Sequence, residues 1–139
     1  MYARSPSTVV GFEARVHSIN ADLTHLKEAR DFAEQAAAEF GFDSDGRYQV
    51  KLALSEAITN AIQHGSSSPS DIVRIVVAEE AGSLVFEVAD NGRFVPRVER
   101  RGTMPESGRG LEFMRLMMDD VDVRPSPDGT LLRLGKRPH

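Results

Sequence analysis

Residues 52–65, LALSEAITNAIQHG, place Glu56, Asn60 and His64 at four-residue intervals. At about 100° per residue, positions four apart advance by only about 40° along one edge of a helix. Gln63 falls within the same arc. Leu54, Ala57, Ile58, Ala61 and Ile62 take the opposite side. The segment is therefore predicted to be a helix that buries one face and shows a polar row on the other. An ordinary solvated face would look similar, but two features speak against it here. The row contains no Lys or Arg, and Ala57 and Ala61 keep the helix slim enough for another layer to come close.

The rest of the fold is read outward from this helix. DSDG, Asp43 to Gly46, is predicted to start it, with Asp43 or Ser44 as N-cap. The same letters resemble the opening of a calcium loop, but the later ligands do not follow at the required spacing, so capping is preferred. Upstream, Asp22 or Asn20 could cap a helix running through Phe40, closed by Gly41. Val9 to Val16 alternates weakly, with Val10, Phe12, Ala14 and Val16 on one side, and is taken as a first strand.

Downstream, Ile72–Glu79 and Leu84–Ala89 are β-rich runs joined by the short link Ala81-Gly82-Ser83, a hairpin signal. Asp90-Asn91-Gly92 ends the second run. Residues 93–107 are rich in Arg, Pro and Gly, with little periodicity, and read as a long functional loop or lid. Gly108–Met118 returns to helix. Val121–Arg124 and Thr130–Leu134 form a last strand pair around a Pro-Ser-Pro-Asp-Gly turn. The order β-α-α-β-β-α-β-β predicts an α+β fold: a single two-layer α/β sandwich over residues 1–139, with a mixed, mostly antiparallel sheet and helices on one face.

Bulk properties narrow the function. The chain has 139 residues, 40% hydrophobic and 27% charged, enough for one domain with a real core. A net charge of −4 gives no footprint for nucleic acid. There is no cysteine, which excludes disulfide and thiolate chemistry. No apolar run is long enough to span a bilayer, and the N-terminus lacks signal-peptide character, so a cytoplasmic location without membrane association is expected.

Three clusters can carry chemistry. A carboxylate and an amide one turn apart suit metal-assisted phosphate chemistry: Asn60 offers a neutral oxygen to Mg²⁺, and Glu56 can take a proton from an attacking hydroxyl. His64, by itself, is as readily a helix-terminal residue as a ligand. The Asp90 carboxylate can accept a hydrogen bond from the exocyclic amine of adenine, or Asp90-Asn91-Gly92 can be a plain turn; Gly92 would let a base approach the backbone. Ser107-Gly108-Arg109-Gly110-Leu111 is expected to open a helix, where backbone amides bind anions and glycines clear the way for phosphate. It matches neither a Walker loop nor a dinucleotide fingerprint.

The order of these pieces resembles the N, G1, G2 and G3 boxes of the gyrase/chaperone/histidine-kinase/MutL (GHKL) ATPase superfamily. The matching residues are LSEAITNAIQHG, DNGRFVP, and GRGLEFMRLMMDDVDV followed by DGTLLRLGK. The chain resembles most the anti-sigma factor serine/threonine kinases of the RsbW and SpoIIAB kind, over nearly its whole length. The resemblance implies a histidine kinase-like ATPase fold and Mg·ATP held under a lid at 93–107. It implies Glu56 as general base, Asn60 as Mg²⁺ ligand, Asp90 and Gly92 at the adenine, and Gly108 and Gly110 at the phosphates, within the Ser107–Leu111 box. Thr130 would support the adenine end. The implied partners are a STAS-type anti-sigma-factor antagonist, which would be phosphorylated, and a sigma factor; homodimers are common in this branch. One departure stands out: Phe94 occupies the second glycine of the usual DxGxG box, while Pro96 is kept. The alternative functions are a non-catalytic nucleotide-binding regulator and a simple ATPase. The lid arginines, Arg93, Arg97, Arg100 and Arg101, with Arg109 beyond, suit phosphate or carboxylate recognition.

Overall fold

A computed structural model describes residues 12–90, 105–126 and 129–138. Strand β1 is Arg15–Asn20. Helix α1 is Leu26–Phe40 and α2 is Ser44–Gln63. The hairpin strands are β2, Ile72–Glu80, and β3, Ser83–Asp90. Helix α3, Pro105–Met117, precedes β4, Asp120–Ser126, and β5, Gly129–Lys136. The five strands form one sheet in the order β1-β2-β3-β5-β4. The element order and the two-layer α+β architecture agree with the sequence reading. The sheet differs in one respect: every described pairing is antiparallel, not mixed.

The local signals explain the helix boundaries. Asp22 accepts hydrogen bonds from the Thr24 backbone N–H and hydroxyl, each at 3.0 Å. It caps a short 3₁₀ turn, Leu23–His25, that feeds α1, so the α-helix itself begins at Leu26 and not at the cap. Gly41 ends α1 at φ 110°, a conformation that side chains resist. Asp43 caps α2 by accepting from Gly46 N–H at 2.8 Å. That use of the carboxylate is the capping reading of DSDG.

Alternation along the strands sets the core. Val73, Ile75 and Val77 on β2 and Leu84, Phe86 and Val88 on β3 are buried on the helix-covered face. The small residues Ala33, Ala36 and Ala37 on α1 and Ala53, Ala57 and Ala61 on α2 are buried as well. They let these helices lie close to each other and to the sheet. The hairpin closes through Ala81 and Gly82, both at positive φ, with Glu79 accepting from Gly82 N–H at 2.8 Å.

The first strand departs from expectation. It starts at Arg15, and Val16 points outward, 58% exposed. Its inward places belong to Arg15, His17 and Ile19, which pair in register with Val77, Ile75 and Val73. Arg15 lies over the Phe12 ring and pairs with Glu39 of α1 at 2.8 Å. His17 stacks on Phe32 and bonds Glu28 at 2.8 Å. Amphipathic side chains covered by α1 therefore do the work of apolar ones there, which an apolar alternation cannot reveal.

Candidate functional site

The alternation of β3 leads directly to the site. After Leu84, Phe86 and Val88, the next inward place is Asp90, a carboxylate that is only 9% exposed. Its register partners are Val73 on β2 and Thr130 on β5. The Thr130 hydroxyl is buried and makes no hydrogen bond among the described residues. Two polar residues thus lie inward side by side where an apolar pair would continue the core. Burying the Thr130 hydroxyl is costly unless something pairs with it. A ligand that donates and accepts hydrogen bonds fits this end of the sheet.

Helix α2 reaches both this end and a second one. His64 is its C-cap, donating its backbone N–H to Asn60 O at 2.8 Å, and its side chain is exposed. Gly65 follows, donating to Asn60 O at 3.1 Å and Ala61 O at 3.2 Å. A Cβ built on Gly65 would stand 2.1 Å from Asp90 Oδ2. The end of α2 therefore lies hard against the Asp90 carboxylate. One to two turns back, Glu56 and Asn60 are half-buried, while Leu54, Ala57, Ile58, Ala61 and Ile62 are buried on the opposite side, as the polar-row reading requires.

That row faces α3. A Cβ on Gly110 would lie 2.9 Å from Glu56 Oε2 and 3.5 Å from Asn60 Nδ2. Gly110 is buried at this approach. From Glu56 to Gly65, α2 spans roughly 13 Å at 1.5 Å per residue. Along that length it meets the glycine segment of α3 at one end and the Asp90–Thr130 pair at the other. Asp90 and Gly110, one residue from each of the other two sequence clusters, thus lie against the two ends of this stretch.

Other sequence-predicted positions fare differently. The Ser107–Leu111 segment does not open α3, because the helix begins at Pro105. Proline suits the first helical position, where its missing N–H would have no partner anyway. Residues 105–107, assigned to the lid, are therefore the first turn of α3. Gly108 falls at the end of the first turn, and the Gly110 N–H, further in, is directed along the helix toward Glu106 O. Leu111 is partly buried and packs against the hydrophobic core. Gly92, Phe94, Pro96 and the arginines at 93, 97, 100 and 101 lie outside the described residues, as does the remainder of the expected lid. The sequence by itself gives Gly65 no role. A glycine directly behind a helical polar row was the available clue.

The donor set fits a purine nucleotide with a hard cation: a carboxylate and a hydroxyl at one end, a carboxylate and an amide at the other. Among the described residues no cluster of three or more metal-ligating side chains occurs. That is compatible with Mg²⁺ held chiefly by phosphate oxygens, waters and a single protein group. No helix among the described residues is long and apolar enough to cross a membrane.

The histidine kinase-like ATPase domain family matches residues 19–136, and the chain belongs to it. Within that class it is similar to anti-sigma F factors. That of Bacillus licheniformis is 32% identical, the match covering 86% of this chain and 92% of that protein. That of Clostridium acetobutylicum is also 32% identical, over 69% of this chain and 76% of that protein. The crystal structure of the RsbU and RsbW domains of Rv1364c from Mycobacterium tuberculosis shares the fold, with a TM-score of 0.70 at 19% identity. The match covers 90% of this chain and 32% of that one.

Proposed function

We propose that the protein is an ATP-dependent serine/threonine kinase that acts as an anti-sigma factor, phosphorylating a STAS-type antagonist and otherwise holding a sigma factor. The observation that carries this reading is the placement of α2: Glu56 and Asn60 against Gly110 at one end, Gly65 against Asp90 at the other. The similarity to anti-sigma F factors supports the choice of partners.

Asp90 would accept a hydrogen bond from the adenine amine, and the Thr130 hydroxyl would satisfy its own unmet hydrogen bond there. Asn60 would hold Mg²⁺, which when bound neutralises charge on the phosphates. Glu56 would orient the acceptor hydroxyl and receive its proton as the oxygen bonds to the γ-phosphorus and the bond to the β–γ bridging oxygen breaks, leaving ADP. The contribution of the protein is mainly positioning and electrostatic stabilisation. The Ser107 amide, in the first turn of α3, has no partner within the helix and is free to meet phosphate, whereas the amides of 108–110 can turn toward it only if that turn opens. Two glycines make that inexpensive, since each weakens a helix by about 1 kcal/mol relative to alanine.

The test is to incubate the protein with γ-labelled ATP, Mg²⁺ and candidate STAS-type antagonists. Label on a serine or threonine of one of them is expected; no label on any, from protein that binds ATP, would end the kinase reading. A second reading, a non-catalytic regulator, is favoured by the helical state of Ser107–Gly110. Under it, Glu56→Ala would leave partner regulation intact, whereas the kinase reading expects that substitution to lock the switch.

A further inference from the structure

Among the described residues, α1 ends on Gly41 and α2 is followed, just past its cap, by Gly65, and the two glycines serve different purposes. Gly41 has φ 110°, and a Cβ built on it would meet nothing within 4 Å. Its glycine serves backbone conformation alone. Gly65 is not among the glycines of positive φ, so its backbone is open to any residue. A Cβ there would instead lie 2.1 Å from Asp90 Oδ2, 2.5 Å from its Cγ and 3.0 Å from Oδ1. The whole carboxylate lies across the Gly65 Cα.

We infer that Gly65 is a positioning residue that fixes purine selectivity by seating the Asp90 carboxylate against the end of α2. This rests on the nucleotide reading above. Aspartate has a short side chain with two torsions, and Asp90 is held between Val73 and Thr130 on its neighbouring strands. It cannot yield to a methyl group without turning away from its present direction. An ionised carboxylate only accepts hydrogen bonds, so it favours a 6-amino purine and repels a 6-oxo purine. Selectivity of this kind depends on the carboxylate holding its place, because the penalty comes from leaving it facing another acceptor. Turning it aside removes the preference for the amine and the rejection of the carbonyl together.

The probes are Mg·ATP and Mg·ITP, which differ at the purine 6-position, with affinities measured for the full chain. The native protein is expected to prefer ATP. Gly65→Ala is expected to narrow the ATP-to-ITP affinity ratio by tenfold or more, while Gly41→Ala lowers the melting temperature and leaves the ratio alone. If Gly65→Ala fails to fold, Gly65→Ala/Asp90→Ser supplies the readout, because the shorter side chain relieves the contact; folding of the double variant supports the assignment. A double variant that also fails to fold would overturn it, and so would a folded Gly65→Ala protein that keeps the native ratio. A native protein that binds neither nucleotide, or both equally, would overturn the nucleotide reading itself and this inference with it.

Discussion

The two ends of the α2 row are built on different foundations. At the Asp90 end, three strands fix the register, and Asp90, Val73 and Thr130 are aligned by backbone pairing. At the Glu56 end, position depends on one helix packed on another through Gly110. A sheet holds a side chain to a place, whereas a glycine-bearing helix start can move. Under the proposed function the contrast has a use: base recognition would profit from rigidity, and the phosphate end would have to admit a second substrate.

Substitutions at the two ends should therefore separate binding from transfer. The largest effect is expected from Glu56→Gln, with phosphoryl transfer falling by about 10²–10⁴-fold. Its melting temperature should still rise with Mg·ATP, so a parallel loss of that rise would break the division between the ends. Asp90→Asn should act the opposite way, removing most of the ATP-induced rise. At ligand near 100 times Kd that stabilisation is about 2.7 kcal/mol in the native protein. Differential scanning fluorimetry with and without nucleotide reads both variants.

Gly110→Ala is a smaller perturbation at the phosphate end. Its methyl group would press on Glu56 Oε2 at 2.9 Å, tighter than normal packing permits. Transfer should fall several-fold, with the ATP-to-ITP preference unchanged, in single-turnover assays. Thr130→Val should be the mildest. Its hydroxyl has no hydrogen-bond partner among the described residues, so the ligand-free melting temperature should hold or rise. ATP affinity should drop a few-fold by calorimetry. A ligand-free protein destabilised by about 1–3 kcal/mol would mean that the hydroxyl already serves the fold.

Much of this was legible in the sequence because the signals are local. The cap at Asp43, the stop at Gly41, the hairpin at Ala81-Gly82 and the four-residue spacing of Glu56 and Asn60 each act within a few residues. The inward turn of Asp90 follows from the period of two along β3. What the sequence does not show depends mainly on contacts across the fold. The first strand was misplaced because Arg15 and His17 fill inward positions through partners on α1, Glu39 and Glu28. The expected start of α3 at Gly108 falls three residues late, because Pro105 marks the first helical position. Gly65 went unassigned because its reason lies on β3, 25 residues further along the chain.

The most direct test of a shared pocket is one nuclear magnetic resonance titration with a non-hydrolysable Mg·ATP analogue. The side-chain amide of Asn60 and the backbone amides of Gly65 and Thr130 should shift together, saturating with a single Kd. Shifts confined to one end, or two unrelated binding constants, would contradict a pocket that holds base and phosphates along one helix.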